Sequence, residues 1–480
     1  MNPSYAALIC ACGIAGLFYL GRDSAARTSK ALWIPVIWLW IDGSRSASAW
    51  LGVSPTGGDV QLDGSPFDAA IFGVLLATAI AVLIRRNRRT RTLLAANWPI
   101  LIYFLYCLIS VAWSYHPDVS FKRWIKAIGD PAMALIVVTD GQPVAAFTRL
   151  ISRVGFVLLP ASVLLIKYYG YLGRAYGPGG EPENTGVTTN KNSLGLIVFL
   201  VSLSVLWNVR ALLADKKASN RIRRLVAQVA LLIFGIALLQ MASCATAVAC
   251  LILGGGLMFL TARPAFRSRP GRVYALCLAI VLTGGLAMLF GGGSAVSSEL
   301  GRGSGLSGRT EIWAAVIGAA GNPVVGTGFE SFWISPNVKK VWPALSGWWH
   351  PEGLNEAHNG YLEIYLNLGW IGVSLVALIL ISGYRRAVKA FRSDPEFGGL
   401  MLAYIVTATF YSLTEAGFRF LAPMWIFLLL AVVGASGVNA GLFRGKASKA
   451  LASRRGAMSS RQASTEFIPE SRTVCAPAVD

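Results

Sequence analysis

Charge is scarce in this chain. Only 14% of its 480 residues are charged, against roughly 25% in a soluble domain. Acidic residues are scarcer still, 23 Asp+Glu beside 43 Lys+Arg. Few of them fall inside apolar runs, so a proton-relay pump has no obvious relay. Asp130, before Pro131, comes closest, and it equally suits a helix break. With 3 histidines in total, an imidazole-rich metal site is a poor reading. The 7 cysteines include no C-x-x-C pair, and five of them (Cys10, Cys107, Cys244, Cys250, Cys277) lie in apolar runs. They read as small core residues, not as disulfide or metal partners. H-E-x-x-H and Walker A motifs are absent. No internal repeat is evident, which weakens a transporter built from inverted halves. Runs such as Val226–Leu239 lack period-two alternation, which excludes a membrane β-barrel.

What is abundant is apolar sequence: 55% of residues are hydrophobic, with mean hydropathy +0.57. Runs of membrane length recur from end to end, so the fold class is an all-α polytopic membrane protein. Spans are expected near 4–20, 31–42, 67–84, 93–112, 125–138, 154–169, 192–208, 225–241, 244–260, 273–291, 361–383, 398–413 and 420–437. That gives about 12–13 transmembrane helices, those at 31–42 and 125–138 being short enough for half-helices. The first 20 residues lack a basic start, so helix one is read as retained. The net charge of +20 is best explained by orientation. Arg85–Arg91, Arg210–Arg224, Arg263–Arg272, Arg385–Arg392 and the tail after Gly441 are strongly basic, with 21–30 and 139–153 weaker. An even number of crossings separates each from the next, so all can face the cytoplasm. No nucleic-acid partner is expected.

These spans divide the chain into an N-terminal bundle (1–291), a long polar segment (292–360), C-terminal membrane helices (361–437) and a cytoplasmic tail (438–480) without apolar periodicity. The polar segment is unusually long, and such connections are often functional. It carries Arg302, Arg309, Glu311, Glu330, Glu352, Glu356, His350 and His358. It also holds five of the 15 tryptophans: Trp313, Trp333, Trp342, Trp348 and Trp349. The tryptophans suit either an interface belt or stacking on sugar rings. Ser307-Gly308-Arg309-Thr310-Glu311-Ile312-Trp313 opens an apolar stretch through Ala320 that suits a short helix, then a tight turn is expected at Gly326-Thr327-Gly328. Asn359 is a good N-cap for the helix that follows. His358 would sit at that positive helix end, where N–H groups and an imidazole suit a diphosphate or a developing anion. Glu363, one turn in, can orient polar partners. Arg309 offers a planar fork of the kind that grips phosphate. Blander readings stay open: an interfacial His358, a local Arg309/Glu311 pair, a snorkelling Lys191 beside an Asn192 cap, and a Glu415/Arg419 pair in the last outer turn.

Three runs are distinctive together: Gly308-Arg309-Thr310-Glu311-Ile312-Trp313; Asn322-Pro323-Val324-Val325-Gly326-Thr327-Gly328-Phe329; and His358-Asn359-Gly360-Tyr361-Leu362-Glu363 with Gly369 and Gly372. In order and spacing they resemble the O-antigen ligase/polymerase family. Gly186–Gly195, with Asn190-Lys191-Asn192, resembles that family's Asn-containing helix entry. Leu32–Ser44-Arg45, with Trp50-Leu51-Gly52, looks like its exopolysaccharide-production polymerase branch. One basic residue that family members often carry is replaced here by Ser243-Cys244-Ala245-Thr246. Its role would shift to Lys191, Arg174 or Arg302.

The resemblance implies a metal-independent membrane glycosyltransferase of GT-C-like architecture, with no cofactor. It would work at the periplasmic face of the bacterial inner membrane, and 292–360 would be a periplasmic loop. The donor would be a polyprenyl (undecaprenyl) diphosphate-linked oligosaccharide. The acceptor would be another lipid-linked repeat or a lipid A-core sugar. Arg309 would hold the diphosphate and His358 would assist the acceptor hydroxyl. Lys191, Asn192, Arg174, Arg302, Asn359, Glu363, Glu330, Trp348 and Trp349 would bind substrate. Polysaccharide export or chain-length-control proteins would be the partners in the bilayer. From other classes, a glycan or lipid transporter and a non-catalytic assembly partner remain as alternatives.

Overall fold

The computed structural model describes residues 2–53, 64–176, 180–267, 269, 271–273, 275–277, 279, 283, 309–345 and 354–443. Helix dominates them. The one sheet among the described residues is a small hairpin, Arg174–Tyr176 against Pro182–Asn184. Among the described residues, seven helices are long and apolar enough to cross a bilayer: Pro3–Leu20, Pro66–Arg85, Pro143–Tyr168, Lys191–Ala214, Arg221–Ala242, Ala245–Ala262 and Gly360–Ser393. An eighth span arises if Asn87–Ala96 and Trp98–Trp113, bent by 83°, count as one. The chain is therefore an all-α polytopic membrane protein, with fewer full-length helices among the described residues than the apolar runs suggest.

The difference has a local cause. Trp33–Asp42 and Gly129–Val138 are each 10 residues, about 15 Å of helix, half of a bilayer core. Both were expected to be short. Pro395–Tyr411 and Pro423–Asn439 are 17 residues each. The span expected at 154–169 begins at Pro143 instead, so the weakly basic stretch 139–153 is mostly helix rather than loop. Its Arg149 stays polar by donating to the Asp23 and Ala26 carbonyls, each 2.6 Å away. The run 273–291 lies largely outside the described residues.

Helix starts follow the sequence. Asn2, Ser65, Asn190, Asn359 and Asp394 each accept a backbone N–H with a side-chain oxygen, which satisfies donors that lipid could not. Pro423–Asn439 is the hub, buried on all sides and packed on Gly129–Val138, Gly360–Ser393 and Pro395–Tyr411. Pro3–Leu20 and Pro66–Arg85 lie at the edge with most of their apolar surface outward.

One feature of the long polar segment fixes the geometry of everything near it. The helix Gly360–Ser393 breaks at Gly369, whose φ is 61° and ψ −164°. The turn 322–328 plugs the break. Thr327 N and Gly328 N donate to the Leu366 and Asn367 carbonyls, at 3.1 and 2.8 Å. Trp370 N and Ile371 N donate to the Pro323 and Val324 carbonyls, at 2.9 and 3.2 Å. Backbone groups freed by the break are thus paired again, as an apolar surrounding demands. The approach is too close for side chains. A Cβ on Gly369 would lie 2.2 Å from the Val324 oxygen, and one on Gly326 would lie 2.4 Å from the Asn367 backbone. Beside this clasp, Arg309–Gly318, Val338–Ala344 and the Phe332–Trp333 turn form a small apolar core of their own over Leu366.

Candidate functional site

The bundle has two polar ends. At one, Arg210 and Arg267 pair with Glu396, Arg86 with Asp140, and Arg224 with Asp23. At the other, the starts of the helices at Lys191 and Gly360 meet the turn 412–422 and the end of Trp33–Asp42. The expected site residues that fall among the described ones gather there, apart from Arg174.

The Glu356-Ala357-His358 loop is held from below. The buried Glu363 carboxylate accepts the Ala357 N–H and the Trp333 indole N–H, the latter at 3.0 and 3.2 Å. Trp313 donates to the Ala357 carbonyl at 2.9 Å. Asn359 caps the helix by accepting Tyr361 N and Leu362 N at 3.0 and 3.1 Å. Gly360 N reaches across to the Ser412 carbonyl at 2.8 Å. His358 itself takes a left-handed backbone, φ 48°. This is uncommon for a residue with a side chain and is kept only where surroundings enforce it.

Above that loop lies an interleaved set of charges. Glu415, 3% exposed, stands between Arg309 Nη2 at 2.5 Å and His358 Nδ1 at 3.5 Å. Glu356 lies 3.0 Å from the same Nδ1. Arg419 completes the set, 3.7 Å from Glu330 and 3.8 Å from Glu356. It also donates to the Asn355 carbonyl at 3.2 Å. Arg123 donates to the Glu330 carbonyl from the Pro117–Ala127 helix.

This arrangement sets protonation states. Burial alone would lower the His358 pKa, but Glu356 and Glu415 outweigh it and raise it from 6.5 to about 9. The imidazole is therefore charged at neutral pH. Burial pushes the Glu356 carboxyl up, yet His358, Arg419 and Arg309 together hold it below its ordinary value. For Arg419, burial works against the charge, and Glu330, Glu363 and Glu356 more than restore it.

Next to these charges is a cavity of about 240 Å³, lined among others by Asp42, Asn192, Ser193, Glu356, Glu415 and Arg419. Glu356, His358 and Glu415 each bring a ligand atom within 4.8 Å of the others, a spacing that could hold a metal ion. Both carboxylates already carry an arginine, however, and an ion would have to displace Arg309 and Arg419 to use them.

The sequence-derived candidates fall into groups. Arg309 and His358 meet on Glu415, with Glu330 one arginine away. Arg309 does not take up Glu311, whose carboxylate accepts from Thr310. Asn359 and Glu363 shape the loop, and Asn192 lines the cavity. Lys191 pairs with Glu183 at 2.5 Å, and the cap of its helix is Asn190 rather than Asn192. Arg174 lies apart, exposed on the hairpin. Arg302, Trp348 and Trp349 lie outside the described residues. Sequence reasoning gave too little to Glu415 and Arg419, which do not pair with each other but hold the other charges. Their signal was present: they are the only charges between Glu396 and Arg444. Asp42 and Glu356 gave no such signal. The position of the missing basic residue is close by, since Thr246 meets Thr414, the neighbour of Glu415, at 3.4 Å.

Comparison with known proteins points the same way. Residues 186–377 match the family model described as O-antigen ligase. Over 351 residues the chain is 25% identical to the exopolysaccharide production protein ExoQ of Rhizobium meliloti (strain 1021), covering 70% of this chain and 76% of that one. The family match takes in Arg309, Glu356 and His358, while Asp42, Glu415 and Arg419 come from outside it.

Proposed function

We propose that this chain, similar to the O-antigen ligase/polymerase family in its motifs, family match and relative, is a membrane glycosyltransferase. It transfers a polyprenyl-diphosphate-linked glycan onto the hydroxyl of a second glycan at the outer face of the inner membrane. The curated relative's name favours exopolysaccharide polymerisation. The observation that carries the reading is the gathering of Arg309, His358 and Arg419 beside one small cavity at the end opposite the basic loops.

The chemistry asks little else. The acceptor oxygen bonds to the anomeric carbon as the bond from that carbon to the diphosphate breaks. The electron pair leaves on a diphosphate oxygen, which needs positive charge and N–H donors around it. Glu415 engages one edge of the Arg309 guanidinium, and a guanidinium has five N–H groups. The remainder can fork onto the diphosphate. His358, charged at neutral pH, serves the leaving group as a cation and proton donor instead of acting as a base. Nothing in these steps calls for a metal ion.

Purified protein supplied with a lipid-linked repeat in detergent tests the reading. A glycosidic product is expected, and none would form if the protein only transports or only assembles. The family description favours a second acceptor, the lipid A-core sugar of an O-antigen ligase. In a deletion strain, accumulated single repeats mark the polymerase. Intact lipid-linked polymer that never reaches lipid A marks the ligase.

A further inference from the structure

If His358 holds a proton already, the acceptor hydroxyl must give its proton to another group. This step rests on the glycosyl-transfer reading above. The acidic residues around the cavity can be taken in turn. Glu330, Glu356 and Glu415 are bound to Arg419, His358 and Arg309. Glu363 is committed to Trp333 and Ala357. Asp130, fully buried, accepts the Trp38 indole N–H at 3.2 Å and Leu421 N at 3.0 Å. That bond holds Leu421 in its left-handed turn, φ 53°. Only Asp42 is left.

Asp42 ends the helix Trp33–Asp42 and lines the cavity with Glu356, Glu415 and Arg419. Its Oδ2 is enclosed and has no hydrogen-bond partner. No ion pair among the described residues reaches it. An enclosed carboxylate oxygen without a donor is costly unless a ligand supplies one. The charged and titratable groups facing it are Glu356, Tyr411, Glu415 and Arg419 across the cavity, and Asp130 from the neighbouring helix.

We propose that Asp42 is the catalytic proton acceptor for the acceptor hydroxyl. The hydroxyl hydrogen passes to Asp42 Oδ2 as the hydroxyl oxygen bonds to the anomeric carbon. The bond from that carbon to the diphosphate breaks, and its electron pair leaves with the polyprenyl diphosphate beside Arg309. The proton leaves Asp42 for water when product departs. The site thus separates its two tasks: cations on the 309, 358 and 419 side serve the leaving group, and one carboxylate on the opposite helix serves the nucleophile.

The wild-type protein is assayed first with the lipid-linked repeat in detergent. A wild type without product overturns glycosyl transfer itself, and this assignment with it. Given an active wild type, Asp42→Asn should lower kcat by about 10²–10⁴-fold, the usual share of a general base. KM for the donor should stay within about twofold. Its Tm should be unchanged or higher, because an enclosed carboxylate oxygen without a partner has been removed. Formate should restore part of the turnover of Asp42→Ala, and that arm also covers an Asp42→Asn protein that fails to fold. Wild-type kcat in Asp42→Asn overturns the assignment. So does lost turnover with a lowered Tm and no rescue by formate.

Discussion

The two polar ends of the bundle use the same side chains for opposite purposes. At the basic end, Arg267 and Glu396 are about two-fifths exposed and the arginines outnumber their acidic partners. At the other end, the side chains of Glu415 and Arg309 are mostly buried, and three cations face three carboxylates. An exposed surplus of charge orients a chain in a membrane. A buried, balanced set is expensive to assemble and is kept where charge does work. Composition registers only the first kind, because buried pairs cancel in the sum.

The sharpest way to break the contrast is at the clasp beneath the site. Gly369→Ala places a Cβ against the Val324 oxygen in a backbone conformation open to glycine. We expect a loss of more than about 3 kcal/mol and no active protein, read by thermal unfolding in detergent. Retained stability would mean that the clasp does not hold the site end together.

Arg309 comes next. Arg309→Lys should lose about 10²–10³-fold in turnover, nearly as much as Arg309→Ala, because lysine keeps the charge but not the fork. Wild-type turnover and donor affinity in Arg309→Lys would show that the diphosphate is gripped elsewhere.

His358 predicts a pH dependence. Its folded pKa of about 9 lies above its ordinary 6.5. The stabilisation is therefore complete below pH 6.5 and lost as pH rises through about 9. We expect stability to fall between pH 6.5 and 9.5 by on the order of 2 kcal/mol, seen as a lowered Tm, and turnover to fall on the same alkaline limb. In His358→Asn that Tm difference should vanish, and turnover should be low at every pH. An alkaline limb unchanged in His358→Asn would assign it to another group.

The smallest effect belongs to the basic end. Arg267→Ala removes a solvent-exposed pair and should cost roughly 0–1 kcal/mol with turnover unchanged. Cysteines at Lys217 and Lys339 should label from opposite sides with an impermeant thiol reagent. Labelling of both from one side would remove the distinction between the ends.

Much of this was legible in the residues. Apolar runs located most of the described helices, including the two short ones, because burial in lipid imposes a long and uninterrupted signal; they missed the first turns of Pro143–Tyr168 and the last turns of Gly360–Ser393, where charged residues extend the helix beyond the apolar run. Asn359 was readable as a cap, and the apolar stretch after Arg309 as a short helix, since both are local choices. The function of Gly326, Thr327, Gly328, Gly369 and Gly372 was not readable. Gly326-Thr327-Gly328 looked like a turn, and Gly369 and Gly372 lay within the span expected at 361–383, yet most of them form one clasp between segments forty residues apart. The pairing of Arg309 with Glu415 rather than Glu311 was likewise hidden, because a nearby carboxylate in sequence says nothing of a distant one in space.

Sequence alone determined that this is a membrane protein of many helices, with its basic loops at one end and its unusual polar segment between apolar runs. Those are properties of composition and order along the chain, and lipid enforces them segment by segment. Only the tertiary structure decided the protonation of His358, the carboxylates that hold Arg309 and Arg419, and the isolation of Asp42. Each of these depends on charges brought within a few ångströms by helices far apart in sequence, and the Coulomb interaction is set by that distance and by burial.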